Sequence, residues 1–479
     1  MRLRLVFNSI GKLLLLEALI MVIPLGVALY DQSTDWLAFG QTIGLTLLVG
    51  FLLGLIRPKG EFRRREGLAV VGLGWLSLTV FGALPFLLSG TTLTYTDAFF
   101  ETMSGFTTTG ATILPDVEQV ARGLLFWRSL THWLGGMGII VLSLALFPAL
   151  RQGVFLYEAE VPSPFPDKVV PRLRKTAAVL WAIYTGFTLS QLIALRLAGM
   201  SWFEGTIHAF GTLATGGYST RNTSVEGFHS LAIEVIIIVF MFLAGLNFSL
   251  YYRVAKKRSL KPLFSSTEVR VFFGVIIVAS LLVTIALSGS YGLSLGEACR
   301  HAVFQVVSII TTTGFSSDNF DQWPDFARAI LLFLMFFGAC TGSTAGALKI
   351  ARVVVLWKYA CRQVRKTFNP RQVIPTKLDG VALPPTAIHA IAVFFFMYMA
   401  IFVIGTLGVS ATGVDLPTAI SAAASCLGNV GPGLAAVGPL KNYGVLHPYA
   451  KWMLSLMMLA GRLEILPLLV LFSPRFWHK

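Results

Sequence analysis

The sequence predicts an all-α integral membrane protein in which two N-terminal helices precede four parallel helix, pore-loop, helix repeats in pseudo-four-fold arrangement around one pore. Three observations predict it. Of the 479 residues, 55% are hydrophobic and only 13% charged, with a mean hydropathy of +0.74, whereas soluble domains carry about 25% charged residues. Nearly the same peptide recurs four times, at Thr107-Thr108-Thr109-Gly110, Leu213-Ala214-Thr215-Gly216, Thr311-Thr312-Thr313-Gly314 and Gly428-Asn429-Val430-Gly431. The intervals between these glycines are 106, 98 and 117 residues (216−110, 314−216, 431−314). Finally, basic residues gather in alternate loops, Arg57 to Arg65, Arg151 to Lys175, Arg253 to Lys261 and Lys349 to Lys377, while Asp97, Glu101, Asp116 and Glu118 occupy an intervening one. That alternation is the positive-inside pattern, and it accounts for the net charge of +15 without a nucleic-acid partner.

A spanning helix needs about 20 mainly apolar residues. Residues 1–58 supply two, Leu13 to Tyr30 and Trp36 to Ile56, as an antiparallel pair with no turn motif. Repeat 1 (59–150) reads as the span Leu68 to Leu88, the re-entrant helix Asp97 to Phe106, the turn, and the return Leu124 to Leu150. Repeat 2 (176–260) has the span Val179 to Leu197, a re-entrant helix from about Trp202, and the return Leu231 to Tyr251. Repeat 3 (268–362) re-enters at Gly296 to Ile310. In repeat 4 (386–474), Ile388 to Leu407 spans, Leu416 to Leu427 re-enters and Pro448 to Phe472 returns. Every turn falls on the same side, so the repeats are parallel, which favours a channel-like pore over a rocking carrier built from inverted repeats. Arg2, Arg4 and Lys12 before the first span and Arg475 and Lys479 after the last place both termini in the cytoplasm. The first apolar stretch lacks a small-residue cleavage site and reads as a retained helix.

The chemistry of the turns is that of the backbone. Irregular main chain survives at membrane depth only when it is buried in protein or lines a wet cavity. Glycine reaches positive φ without steric cost, so successive carbonyls can face one axis and replace the hydration shell of a monovalent cation. The candidate metal-ion positions are Thr108, Thr109 and Gly110; Ala214, Thr215 and Gly216; Thr312, Thr313 and Gly314; and Asn429, Val430 and Gly431. The re-entrant helices end there, and their negative ends favour a cation.

A second segment interrupts repeat 3. From Phe326 to Cys361 the chain is nearly twice one span, with Gly338-Ala339-Cys340-Thr341-Gly342-Ser343-Thr344-Ala345-Gly346 near its middle. Two readings fit: close helix packing through small residues, or an intramembrane loop beneath the filter that obstructs the pore until it moves. Arg462, well inside the fourth return, is costly at that depth unless it faces a cavity or a partner. It is expected to face the pore and meet the loop, the alternative being a buried ion pair. Asp97, Glu101, Glu204 and Glu297, near the starts of re-entrant helices, read as helix caps; His132, His208 and His301 read as packed or hydrogen-bonded groups, not a proton relay. Cys299, Cys340, Cys361 and Cys426 lack metal-ligand or CxxC spacing and read as reduced. No nucleophile triad or nucleotide loop is visible, so neither enzyme activity nor an organic cofactor is expected.

The motifs Ser104-Gly105-Phe106, Trp127-Arg128-Ser129-Leu130, Gly135-Gly136-Met137-Gly138, Ala214-Thr215-Gly216-Gly217-Tyr218-Ser219-Thr220 and Asn429-Val430-Gly431-Pro432-Gly433-Leu434 resemble those of the Trk/Ktr/HKT superfamily of potassium transporters. The extra N-terminal pair, residues 1–58, resembles that of its TrkH-type translocation subunits more than the shorter Ktr type. The resemblance implies a single-chain four-fold pore in the bacterial inner membrane, usually homodimeric, with K+ as the permeant ion. A glycine in all four turns is similar to the potassium-selective members; plant relatives preferring Na+ carry serine where this chain has Gly110. The gate implied comprises Gly338, Gly342, Ser343, Thr344, Gly346 and Lys349, continuing into Arg352, with Arg462 opposite. A cytosolic ring of nucleotide-binding RCK subunits of the TrkA type is the implied partner, for which Arg362, Arg365 and Lys366 offer a docking surface. A gated pore and a symporter coupling K+ to H+ or Na+, with low K+/Na+ discrimination, are the two functions to separate.

Overall fold

The computed structural model describes residues 1–57, 63–138, 173–372 and 374–477. Among them six helices are long and apolar enough to cross a membrane: Leu3–Tyr30, Asp35–Gly54, Arg65–Leu88, Ala177–Leu197, Thr267–Gly289 and Pro385–Ser410. The first begins ten residues earlier than its hydropathy suggests, so Arg4 and Lys12 lie within the helix instead of preceding it. It packs on the second where two glycines let the backbones approach: a Cβ on Gly11 would lie 2.6 Å from the Gly54 nitrogen and 2.8 Å from the Gly50 carbonyl oxygen. Asn8 Nδ2 then donates to the carbonyls of Gly54 (2.8 Å) and Ile56 (3.0 Å) at the end of that helix.

Four short helices enter the core: Tyr95–Phe106, Trp202–Leu213, Leu295–Ile310 and Leu416–Gly428. Each begins at a residue whose side-chain oxygen accepts from the backbone N–H three positions on: Thr94, Ser201, Ser294 and Asp415. A cap of this kind contributes about 1 kcal/mol. Asp97, Glu204 and Glu297 occupy that third position, and their carboxylates take the hydroxyls of Thr94, Ser201 and Ser294 at 2.7–2.8 Å. These three acids serve the helix starts by holding the capping hydroxyls. Glu101 does not; it lies two turns into its helix and belongs to the site below.

The returning helices differ from the sequence expectation. Repeat 1 returns as Arg122–Gly136, capped by Met137 and followed by Gly138 at φ 72; residues 139–150 of the expected Leu124–Leu150 helix and most of the basic loop 151–175 lie outside the described residues. Leu231–Tyr251 is not one straight helix but two, Leu231–Ala244 and Phe248–Lys257, bent by 89°. Pro448–Phe472 likewise breaks into Pro448–Arg462 and Leu466–Leu471, with Glu464 (φ 53) and Ile465 (φ 67) left-handed between them. In repeat 3, Asp325–Leu334 and Ile350–Phe368 flank an irregular stretch of residues 335–349. A break in the return is therefore shared by the second, third and fourth units; the third differs in the length of chain placed in the break. Hydropathy misses the others because Gly245-Leu246-Asn247 and Leu463-Glu464-Ile465 contain too few polar residues to interrupt an apolar window. Among the described residues the fold also holds a two-stranded hairpin, Lys377–Leu378 with Val381–Ala382, turned by Asp379 and Gly380 at positive φ, and an isolated bridge between Phe337 and Leu348.

Candidate functional site

All four turns are buried where the short helices end. In each, one residue adopts left-handed φ, a second follows, and a left-handed glycine closes the turn: Thr108 (φ 54) to Gly110 (83), Thr215 (55) to Gly217 (77), Thr312 (56) to Gly314 (80), and Asn429 (54) to Gly431 (109). The second turn is thus Thr215-Gly216-Gly217, one residue later than Ala214-Thr215-Gly216. The main-chain bonds agree: Thr109, Gly216, Thr313 and Val430 donate to the carbonyls of Ser104, Gly211, Ser308 and Ser425, five residues back in every case. Ala214 is the counterpart of Thr107, a helix C-cap. The signal was present in the sequence. Counting from the cap to the closing glycine gives 16 in three units (110−94, 217−201, 431−415) and 20 in the third (314−294), whose helix is one turn longer. Matching Thr-Gly to Thr-Gly instead selects the wrong member of the Gly216-Gly217 pair.

Gly216 is glycine for its own reason. A Cβ there would run into the imidazole of His132, whose ring stacks on Tyr218 at 3.9 Å between centroids. His208 and His301 are hydrogen-bonded to Ser219 (3.0 Å) and Ser317 (3.2 Å).

The closing glycines meet their neighbours in cyclic order. A Cβ on Gly110 would overlap the carbonyl oxygen of Gly216; on Gly217, that of Thr313; on Gly314, that of Val430; and on Gly431, that of Thr109, all closer than 3.0 Å. Each contact joins the glycine of one turn to the penultimate carbonyl of the next, and the fourth returns to the first. The ring is closed by main chain alone. Asn429 ties its first and last members by donating from Nδ2 to Thr109 Oγ1 (3.0 Å) and to the Met458 carbonyl (2.9 Å). One cavity of about 100 Å³ is lined by all four closing glycines.

Behind the first turn Glu101, buried to 1% exposure, accepts from Thr112 Oγ1 (3.1 Å), the Ile113 N–H (2.9 Å) and Arg128 Nε (2.6 Å). The Arg128 guanidinium lies 3.5 Å over the Tyr218 ring, whose hydroxyl donates to the Glu101 carbonyl at 2.9 Å. Glu101 is therefore an internal brace between the first two turns, not the cap its position near the helix start implied. Removing one partner of a buried ion pair costs about 3–5 kcal/mol. Arg128→Met is expected to lower the thermal midpoint of detergent-purified protein by several degrees, and adding Glu101→Gln to recover part of the loss; a midpoint unmoved by Arg128→Met would count against the brace.

On the other side of the ring lies the irregular segment of repeat 3. Its limbs pair, Gly338 N–H to Leu348 O (2.8 Å) and Leu348 N–H to Phe336 O (3.1 Å), and a Cβ on Gly338 would overlap the Gly346 carbonyl. Gly342 turns at φ 75. The segment touches the ring directly: the Gly346 N–H donates to Thr312 Oγ1 (2.9 Å), and Thr344 Oγ1 to Leu213 O (3.0 Å). Lys349 Nζ folds back on the Ala345 carbonyl. Arg462 reaches the same loop, donating from Nη1 to Thr344 O (2.6 Å) and from Nη2 to Gly135 O (2.5 Å) and Gly136 O (2.7 Å). Those last two carbonyls are the negative end of the first returning helix. Glu464 pairs with Arg352, which also packs on the Phe394 ring at 4.1 Å. A second cavity, of about 120 Å³, is bounded by Ser343, Gly346, Lys349 and Arg462. Among the described residues the four cysteines are free, and no cluster of three or more His, Cys, Asp or Glu side chains could hold a metal ion.

An apolar bundle of spanning helices around a core of converging main chain defines a multi-pass membrane protein. Residues 38–479 match the TrkH family, described as cation transport proteins. The Trk system potassium uptake proteins TrkH of Salmonella typhimurium and Escherichia coli K12 are each 40% identical to the chain over 486 residues, with 100% of both chains covered. TrkG of Escherichia coli K12 is 33% identical over 99% of each. The crystal structure of the potassium transporter TrkH from Vibrio parahaemolyticus matches with a TM-score of 0.91 and 36% identity over 100% of each chain. The chain belongs to the TrkH family, and its relatives are transporters, not enzymes.

Proposed function

We propose that this protein takes up potassium across the bacterial inner membrane through a gated, channel-like pore whose selectivity filter is the four-turn ring of backbone carbonyls. The observation that carries the reading is the closed cycle of glycine-to-carbonyl contacts from Gly110 through Gly217 and Gly314 to Gly431. A ring of main-chain oxygens at the negative ends of four short helices suits a weakly hydrated monovalent cation, and the full-length relatives bear the name of potassium uptake proteins. The filter positions are Thr108–Gly110, Thr215–Gly217, Thr312–Gly314 and Asn429–Gly431, contributed by four repeats spanning 59–150, 176–260, 268–362 and 386–474. The gate is the loop containing Gly338, Gly342, Ser343, Thr344 and Gly346, continued by Lys349 and held from the opposite side by Arg462. Both termini and the basic loops face the cytoplasm, where an RCK ring of the TrkA type docks on a homodimer, as the resemblance implies.

Single-channel recording in planar bilayers under opposed K+ and Na+ gradients tests the reading. Unitary currents reversing near the K+ potential are expected. Transport at a fixed K+ to H+ or Na+ stoichiometry without unitary currents would replace the pore with the symporter.

A further inference from the structure

We propose that Glu268 is the positioning residue that sets the gate, by fastening both feet of the loop to one carboxylate oxygen. The inference rests on the pore reading above. Glu268 stands in the first turn of the long helix Thr267–Ala286 and is 8% exposed. Its Oε1 accepts three bonds: from the Thr341 N–H (2.6 Å), from Thr341 Oγ1 (3.0 Å) and from the Ala351 N–H (3.1 Å). Thr341 is where the chain leaves the paired limb toward the Gly342 turn. Ala351 is the second residue of the helix Ile350–Phe368, whose first N–H groups lack partners within their own helix.

Three consequences follow from one atom serving both sites. The carboxylate caps the second helix from outside it, with the sign the helix end favours. The N–H groups of residues 341 and 351 each lie within 3.1 Å of the same oxygen, so the chain between them is drawn up as a closed loop whose crown carries Thr344 and Gly346 to Leu213 and Thr312. The fixed point is a membrane-spanning helix of the same repeat, not another mobile segment. Apart from Arg462 on the Thr344 carbonyl and the crown contacts just named, the loop is gripped by the Phe248 N–H on Gly342 O (3.0 Å) and the Cys340 N–H on Gly245 O (2.9 Å), both neutral main-chain bonds. Hydrogen bonds to an ionised acceptor are roughly twice as strong as these. Withdrawal of the crown requires the feet to part or rotate, so bonds made only while both feet share the oxygen favour the state seen here over any other.

The experiment uses the full chain in nanodiscs and in planar bilayers, comparing the wild type with Glu268→Ala, Glu268→Gln and Thr341→Val. Two readouts are taken: amide hydrogen exchange over 338–352, and open probability beside unitary conductance and the K+/Na+ ratio. Glu268→Ala is expected to speed exchange at both feet and raise open probability roughly tenfold, the size of effect given by losing charged hydrogen bonds, with conductance and ion preference unchanged. Gln keeps an acceptor oxygen and is expected to stay within about threefold of the wild type, whereas Thr341→Val, losing one donor of three, falls between. Thr341→Val serves in place of Glu268→Ala if the alanine variant does not fold. Unchanged exchange in both disrupted variants overturns the fastening. Faster exchange with unchanged open probability overturns the gating role. Absence of unitary currents in the wild type as well defeats the pore reading instead, and exchange still decides the fastening.

Discussion

Replacing Arg462 by alanine is expected to raise basal potassium flux by about ten- to a hundredfold. Its guanidinium holds Thr344 on the loop and the two terminal carbonyls of the first returning helix, Gly135 and Gly136. Each hydrogen bond to a charged group contributes about 1.5–3 kcal/mol, and each 1.4 kcal/mol is tenfold in population. Water entering the emptied space replaces part of that loss, which keeps the expectation to one or two such factors. Removing a positive charge from the proposed cation route acts in the same direction. Arg462→Lys should recover little of the restraint, because an ammonium lacks the planar fork that reaches carbonyls on two elements together. Rubidium uptake into liposomes at matched protein content provides the measurement. Unchanged flux accompanied by a loss of folded protein would assign Arg462 to structure alone.

The second large effect concerns preference between ions. Gly110→Ser should lower the K+/Na+ permeability ratio by about tenfold or more. Position 110 has φ 83, and any Cβ there is driven into the Gly216 carbonyl. Conformational strain of this kind costs about 1–3 kcal/mol, and the overlap must be relieved by moving a carbonyl of the ring. Gly90 supplies the control: it has a similar φ of 74 but nothing within 4 Å of an added Cβ, so Gly90→Ala carries the local strain without touching the turns. Reversal potentials in mixed K+ and Na+ report the ratio. A Gly110→Ser protein that still discriminates like the wild type would show that the ring does not set preference.

Much of this was legible in the sequence because the physical signals are local. The four short helices begin within two residues of where composition places them, since a capping oxygen and a following apolar run are read over a single turn of chain. Arg462 could be sent to the loop by cost alone: a charge at that depth needs acceptors, and an irregular stretch is where spare carbonyls are found. What failed was whatever depended on a second element. Glu101 looks like one more helix-start acid beside Asp97, Glu204 and Glu297 until Arg128, 27 residues on, is folded against it. Gly216 looks like the closing glycine of its turn until the His132 ring is found in the place of its side chain and Gly217 at positive φ. The bends after Ala244 and Arg462 are invisible to hydropathy, because a left-handed Ile465 is as apolar as a helical one and is held there by tertiary contacts. Glu268 sits at a helix start, where an acid is unremarked; only the meeting of Thr341 and Ala351 on it shows another use.

Because glycine hydrogens and carbonyl oxygens close the ring, its tolerance to drift is uneven. The penultimate place is Thr109, Gly216, Thr313 or Val430, yet all four offer the neighbour the same oxygen. The lettering of the turns can therefore vary more readily at that position, Gly216 beside His132 excepted, than at the closing glycine, where any side chain displaces a neighbouring carbonyl. Four copies that began alike can diverge until they no longer look related and still fit one another, so kinship among the units is recorded in their backbone long after it has faded from their residues.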